Sequence, residues 1–196
     1  MKIVVVDTGG ANLRSVSNAL ARLGADFSLS SDPALICSAD RVLLPGVGAA
    51  ADTMAKLHRA HLVPVLAALQ QPVLGICLGM QLLFSESAEG DAVGLGLIPG
   101  RVTRLEGSES ARIPHMGWNQ LTGPFSDPLL RGVLASDCFY FVHSYRAPDG
   151  PWVTASTEHP GPVPAVVAWK NVHGVQFHPE KSQAAGARIL ENFLNL

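Results

Sequence analysis

The first 84 residues alternate between short apolar runs and segments in which apolar residues recur at helical spacing. An uninterrupted apolar run of four to six residues is typical of a strand buried on both faces, which predicts strands at 2–7, 26–30, 41–44 and 73–76. The helical spacing predicts a helix from Leu13 to Leu23, two helices within 49–70 that break near 61–64, and one from Leu78 to Phe84.

Beyond Ser85 the pattern changes. Glycine, proline and polar residues become frequent, and residues 100–105 form a short apolar-polar run. This favours an antiparallel hairpin region up to Gly132. Further strands are predicted at 139–145, 152–158, 165–170 and 172–177, followed by a closing helix at 182–196.

These elements predict one α/β domain over residues 1–196. Strands that alternate with helices build an open, mainly parallel, twisted sheet with helices on both faces, here with an antiparallel extension. Chemistry on such a sheet is expected at the carboxyl ends of the strands.

Composition narrows the class of protein further. Of 196 residues, 47% are apolar and 15% are charged. The net charge of −2 gives no sign of the basic surface that binds nucleic acid. No apolar run approaches the roughly 18 residues that a membrane span needs, and 1–7 is too short for a signal peptide. Cysteines at 37, 77 and 138 do not make a disulfide framework, so we expect a cytosolic protein.

Cys77 lies at a predicted strand-to-helix junction, between Gly75 and Gly79. Such a sharp turn needs neighbours without side chains, and it presents the central side chain at the end of the sheet. A thiol at a helix N-terminus is also favoured as thiolate, the form that attacks carbon. The alternative is a buried structural thiol, which is our interpretation for Cys37 and Cys138.

The segment His178-Pro179-Glu180 supplies the partners that a cysteine nucleophile needs. Pro179 disfavours a helical conformation, and in an extended stretch residues two apart point the same way. His178 is therefore predicted to act as a general base on Cys77, oriented by Glu180. His143 is an alternative base, but it has no carboxylate two residues further on.

The loop Pro45 to Gly48 has two interpretations. It is a glycine-rich turn of the kind that joins a strand to a helix, and it can also direct backbone N–H groups at a developing oxyanion, together with the amide of Leu78. His58 and His61 have no third ligand nearby in the sequence, so no metal site is expected.

The two cysteine and histidine segments together resemble the class I, or triad-type, glutamine amidotransferases. The nucleophile motif G-x-C-x-G-x-Q matches 75–81, and the second motif H-P-E matches 178–180. The resemblance implies a flavodoxin-like architecture and hydrolysis of glutamine through a Cys77 thioester, without cofactor. It also implies an oxyanion hole and a glutamine-binding set: Gly46, Val47, Gly48 and Leu78, with Gln81, Ser144 and Tyr145.

Residues 114–119, P-H-M-G-W-N, are open to two interpretations from physics alone, a packed turn or an aromatic side chain presented to a partner. The stretch is similar to the glutaminase subunit of imidazole glycerol phosphate synthase, in histidine biosynthesis, where it faces a cyclase subunit. The resemblance implies a heterodimer with that cyclase, which receives the ammonia, and an interface that includes Asn12, His115, Met116, Trp118, Asn119 and Lys181.

The turn at Thr8 to Asn12 departs from the usual pattern of that subfamily. Two other hypotheses remain: a glutaminase that serves anthranilate, pyridoxal phosphate or guanylate synthesis, and a non-catalytic module or peptidase-like relative. If the chain is the glutaminase subunit that serves the cyclase, we expect low glutaminase activity in the isolated chain and a large rise with the liganded cyclase. The reason is that docking would orient the N–H donors of the Pro45 to Gly48 loop correctly.

Overall fold

A large mixed sheet forms the centre of the protein. The computed structural model describes residues 1–9, 13–108 and 111–196. The strands in these ranges are β1 Ile3–Val6, β2 Phe27–Ser30, β3 Arg41–Gly46, β4 Val73–Cys77, β5 Phe84–Ser87, β6 Ala92–Val93, β7 Ile98–Arg104, β8 His115–Gln120, β9 Cys138–His143, β10 Tyr145–Arg146, β11 Val153–Glu158, β12 Pro162–Trp169 and β13 Val172–Val175. The α-helices are α1 Leu13–Arg22, α2 Pro33–Cys37, α3 Ala50–Arg59, α4 Leu62–Ala68, α5 Leu78–Leu82 and α6 Gln183–Leu194.

Among the described residues, the large sheet has the strand order β11-β12-β13-β4-β3-β1-β2. Strands β2, β1, β3, β4 and β13 run parallel, whereas β12 and β11 continue the sheet in antiparallel pairs. The predicted mainly parallel sheet with an antiparallel extension is therefore confirmed.

The core lies on both faces of this sheet because alternate side chains of a strand point in opposite directions. Val4 and Val6 pack with α2, α3 and α4 on one face. Ile3 and Val5 pack with α1 and α6 on the other, together with Phe139 from β9. Both faces of the central strands are therefore buried, which accounts for their continuous apolar sequences.

The region after Ser85 differs in part from the predicted antiparallel hairpins. A smaller sheet has the order β10-β7-β5-β6, and in it β5 runs parallel to β7. The β5–β6 pair is antiparallel, as expected. The β7–β10 and β8–β9 pairs are also antiparallel, but their second strands lie beyond the region for which hairpins were predicted. The prediction was wrong for β5 because α5 ends at Leu82 and Phe84 already starts a strand, which a local helical pattern did not indicate.

Helix α2 was not among the elements that the sequence pattern predicted. Asp32 caps it by accepting a hydrogen bond from the Ala34 amide at 2.8 Å, and Pro33 occupies its first turn. An aspartate followed by proline is a helix-start pattern, but five residues are too few for a periodic apolar stripe to be visible. The predicted break between α3 and α4 occurs at His61, where φ is 55°.

In the ranges described, no helix combines the length and the apolar character needed to cross a membrane.

Candidate active site

Cys77 lies at the tight connection between β4 and α5. Its backbone has φ 54° and ψ −109°, a conformation that residues with side chains rarely adopt. Gly79 packs against the carbonyl of Leu44 so closely that an added Cβ would overlap it. The absence of a side chain at Gly79 therefore lets α5 approach β3 and keeps the turn at Cys77 sharp.

The strand register brings the separate candidate segments to one edge of the sheet. Gly46, the last residue of β3, pairs with Cys77, and Val175 at the end of β13 pairs with Ile76. Because the strands are parallel, the chain after β3, β4 and β13 emerges on the same side. Val47 and His178 thus reach Cys77 from opposite sides.

His178 and Glu180 are in direct contact. His178 Nδ1 lies 2.7 Å from Glu180 Oε1, and both side chains are buried. The predicted extended conformation was wrong, however, since Pro179–Lys181 form a 3-10 turn. Proline is well suited to the first position of a helical turn, where its missing N–H is not needed, so Pro179 starts the turn rather than preventing it.

The charge of His178 is set by its two partners. Burial of the ring opposes its charged form, but hydrogen bonds and charge interactions with Cys77 and Glu180 outweigh burial and raise the pKa of His178 to about 10. Nδ1 faces Glu180, which leaves Nε2 for the sulfur. A protonated imidazole beside a cysteine favours the thiolate, the form that attacks carbon.

The segment that carries His178 is fastened to β9. The His178 amide donates to the Tyr140 carbonyl at 2.9 Å, and the Tyr140 amide donates to Ser182 Oγ at 3.0 Å. Ser182 Oγ in turn donates to the His178 carbonyl at 2.7 Å. This closed set of hydrogen bonds fixes the position of the imidazole relative to β9.

Cys77 opens into a cavity of about 370 Å³, a size that suits a small metabolite. The lining includes these residues proposed from the sequence: Val47, Gly48, Cys77, Leu78, Gln81, Ser144, Tyr145 and His178. Gly46 is absent from the lining. An added Cβ there would lie 2.9 Å from the Gly79 amide nitrogen, so Gly46 permits close packing at the end of β3.

Two polar residues near the site were missed. Glu89 lines the cavity and accepts a hydrogen bond from the Ala50 amide at 2.8 Å. Gln176 is fully buried; its Nε2 lies 3.8 Å from Cys77 Sγ, and its Oε1 accepts from Gln81 Nε2 at 3.0 Å. Gln176 could have been noticed in the sequence, because it is a polar residue inside the apolar run before His178. The sequence around Glu89 has no comparable feature.

The predicted interface residues that belong to β8 are divided between the two faces of this strand. Met116 and Trp118 are 62% and 50% exposed, and exposed Lys181 places its Nζ 5.6 Å from the Tyr140 ring centre. His115 is instead buried and points inward, because neighbouring residues of a strand face opposite ways, so it offers little exposed surface for the predicted interface.

The remaining two predicted interface residues have different outcomes. Asn119 is partly buried and donates hydrogen bonds toward His115 and Glu158. Asn12 falls outside the described residues.

The chain has clear similarity to known proteins. The family model "Glutamine amidotransferase class-I" matches residues 4–196. The chain is 49% identical over 195 residues to imidazole glycerol phosphate synthase subunit HisH of Xylella fastidiosa (strain Temecula1 / ATCC 700964), covering 100% of this chain and 98% of that one. It is 45% identical over 202 residues to the HisH subunit of Photorhabdus laumondii, covering 100% of both.

Solved structures agree on the fold. A protein described as glutamine amidotransferase superposes with a TM-score of 0.76 at 20% identity, over 98% of this chain and 97% of that one. The PurLQS structure from Thermotoga maritima gives a TM-score of 0.66 at 19% identity, over 99% of this chain and 97% of that one.

Proposed function

The chain belongs to the class I glutamine amidotransferase family, and we propose that it is the glutaminase subunit of an imidazole glycerol phosphate synthase. The observation that carries the proposal is the convergence of Cys77, His178 and Glu180 at the cavity. A nucleophile, an acid–base group and an orienting carboxylate are what acyl transfer from an amide requires.

The reaction follows from the charges at the site. The Cys77 thiolate attacks the side-chain carbonyl carbon of glutamine and forms a C–S bond and an oxyanion. Protonated His178 gives its proton to the amide nitrogen, which leaves as ammonia and generates a thioester. Water then donates a proton to the neutral imidazole, attacks the thioester and releases glutamate and the thiolate.

We assign the oxyanion donors to the loop after β3 and to the start of α5. The Leu78 amide opens a helix and has no acceptor one turn earlier, so it is available to a ligand. Val47 and Gly48 line the cavity on the side where β3 ends beside Cys77. One such donor contributes about 2.7–4 kcal/mol to lowering the barrier.

The other polar groups of the cavity suit an amino acid. Glu89 supplies a carboxylate for the α-ammonium group of glutamine, and Gln81 with the Ser144 to Tyr145 segment supplies further polar contacts in the cavity. The substrate is thereby oriented with its side-chain amide toward Cys77.

We propose a cyclase as the partner that consumes the ammonia. Relatives at 45–49% identity over the full chain are named as subunits of imidazole glycerol phosphate synthase. Exposed Met116 and Trp118 suit the apolar centre of an interface, and Lys181 suits its charged rim. The three cysteines are unpaired, which agrees with a proposed cytosolic location.

The test is ammonia release from glutamine by the purified chain, alone and with a liganded cyclase. We expect slow release alone and at least about tenfold stimulation by the complex, corresponding to roughly 1.4 kcal/mol of barrier. A glutamine-like electrophile should label Cys77 and spare Cys37 and Cys138. Equal turnover with and without cyclase would contradict activation by docking, and stimulation by a different synthase instead would reassign the acceptor.

A further inference from the structure

Two buried histidines connect β8 with the cavity: His115 is the first residue of β8, and His143 of β9 lines the cavity. Neither takes part in the proposed chemistry. His115 and His143 are paired across the β8–β9 ladder, and His115 Nδ1 lies 3.0 Å from His143 Nε2. His143 Nδ1 lies 2.7 Å from the Tyr145 carbonyl oxygen. A carbonyl oxygen only accepts, so His143 carries its proton on Nδ1.

Burial favours the neutral form of both rings. Burial, reinforced by His143 and His159, lowers the pKa of His115 to about 3. Burial also lowers the pKa of His143 to about 4, with smaller contributions from His159 and His178, although the hydrogen bond to Tyr145 acts in the opposite sense. A neutral imidazole has one N–H, so Nε2 of His143 accepts and Nδ1 of His115 donates to it.

These hydrogen bonds form a line that begins at Asn119 and ends at the Tyr145 carbonyl, and the orientation of Asn119 also sets its direction. Asn119 Nδ2 donates to the Glu158 carbonyl at 2.9 Å, and Asn119 Oδ1 accepts from the Gln120 amide at 2.9 Å, which sets the orientation of the Asn119 carboxamide. Nδ2 also lies 3.3 Å from His115 Nε2, which must be an acceptor. The donors therefore run from Asn119 through both histidines to Tyr145.

A second line reaches the Tyr145 carbonyl from the sulfur side. Gln81 Nε2 donates to this oxygen at 3.1 Å and to Gln176 Oε1 at 3.0 Å, so the Gln176 carboxamide presents its NH₂ to Cys77 Sγ at 3.8 Å. The Tyr145 carbonyl is thus held by two donors, one from each line. Through this oxygen, the strand that carries exposed Met116 is connected to the nucleophile by hydrogen bonds.

We propose that His115 and His143 are positioning residues for glutamine hydrolysis, which hold the Ser144 to Tyr145 wall of the cavity through the Tyr145 carbonyl. The inference rests on the proposed function and adds residues to it. Both ring nitrogens of His143 are engaged in this line, so His143 is not the catalytic base.

The kinetic test uses paired variants of the full chain. His115→Phe removes the donor to His143 and should raise the KM for glutamine about tenfold, as expected for one lost hydrogen bond, while kcat changes less than about threefold. His115→Asn places an N–H where Nδ1 stood and should restore KM to within about threefold of the wild type.

His159→Phe is the matched control. The His159 ring stacks on His115 at 4.1 Å between centroids but makes its own hydrogen bond with the Arg112 carbonyl, outside the line. It should leave KM unchanged. An unchanged KM in His115→Phe, or equal increases in all three variants, would overturn the positioning role.

A second measurement does not depend on turnover or on the folding of variants. Long-range ¹⁵N–¹H NMR of the wild-type chain should show His115 and His143 as neutral Nδ1–H tautomers at pH 7. An Nε2–H tautomer or a charged ring at either residue would exclude the line of hydrogen bonds. If the tautomers are as expected but the wild type releases no ammonia, the proposed function fails while the arrangement of the histidines stands.

Discussion

At the scale of single residues, Cys77 combines reactivity with a strained backbone. Its positive φ is held by the ends of β4 and α5, and such a conformation costs about 1–3 kcal/mol in a residue with a side chain. This backbone conformation places the sulfur beside His178 and Gln176, on the lining of the cavity. The fold therefore gives up some stability where it presents the proposed nucleophile.

Cys77→Ala and Cys77→Gly separate these two roles. Both variants should lose ammonia release by at least about 10⁴-fold, because the nucleophile is gone, while the chain still folds and docks. Cys77→Gly should be more stable than Cys77→Ala by about 1 kcal/mol, since glycine accepts a positive φ without strain. Urea unfolding measures the difference; at an unstrained position alanine would be the more stable of the two, and that order would contradict strain at Cys77.

The buried histidines make a pH-dependent contribution to stability. The pKa values of His115 and His143 are lowered from the usual 6.5 to about 3 and about 4. At a pH between the lowered value and 6.5, the unfolded chain therefore binds protons that the folded chain does not. Their contribution is complete above pH 6.5 and is lost as pH falls. His178 behaves oppositely, because its raised pKa gives a contribution that is complete below pH 6.5 and lost as pH rises through about 10.

We therefore expect the free energy of unfolding to decrease by more than about 2 kcal/mol between pH 7 and pH 4. Urea unfolding at several pH values measures this slope. The slope should be shallower in His143→Leu, which removes one titrating ring, than in the wild type. An identical slope in the two proteins would show that other groups dominate the acid response.

At the scale of elements, the position of α5 on β3 determines the geometry of the site. An added Cβ on Gly79 would overlap the Leu44 carbonyl, and backbone atoms on both sides leave little freedom to move. The helix that begins with Leu78 therefore lies directly against the strand that ends with Gly46. This contact sets the distance between the loop after β3 and the sulfur of Cys77.

Gly79→Ala should lower the free energy of unfolding by about 3 kcal/mol or more, because it forces backbone against backbone. Gly24→Ala is a suitable comparison: Gly24 has φ +69° but open space around it, so its substitution should cost only about 1 kcal/mol. Thermal or urea unfolding of the two variants gives the ranking. Equal losses would show that α5 can shift without penalty.

At the scale of the whole molecule, β9 connects the segment of His178 with the exposed side of β8. The hairpin β8–β9 packs on the face of the sheet that holds α1 and α6, and β9 is bonded to the segment of His178. Trp118 contacts the Tyr140 ring edge-on at 5.8 Å between centroids, and Lys181 lies over the same ring. A partner that binds Trp118 and Tyr140 would therefore contact β9, the strand whose hydrogen bonds hold the segment of His178.

Trp118→Ala should weaken binding of the cyclase about 30-fold, in keeping with an aromatic anchor worth about 2 kcal/mol. The slow glutaminase activity of the isolated chain should not change, since Trp118 does not line the cavity. Leu35→Ala is the matched control, because Leu35 is 48% exposed but belongs to α2, on the opposite face of the sheet. Calorimetric titration with the cyclase tests both variants, and equal affinities would exclude the β8 surface.

The sequence by itself determined the parallel core, the helices around it except α2, and the two segments that carry Cys77 and His178. These features are local. A buried parallel strand needs a continuous apolar run, and the sharp turn at Cys77 needs residues without side chains on either side. The prediction of a single domain over 1–196 and the assigned residue roles stay predictions.

Only the tertiary structure decided which distant polar groups meet. The inward position of His115, the contact of Gln176 with Cys77 and the entry of Glu89 into the cavity depend on strand register and on the packing of β8 against β9. A one-residue change of register would reverse the face of every side chain in the strand, and no local pattern around these residues specifies it. The chemistry was therefore visible in short motifs, whereas the hydrogen bonds that hold it in place came from long-range pairing.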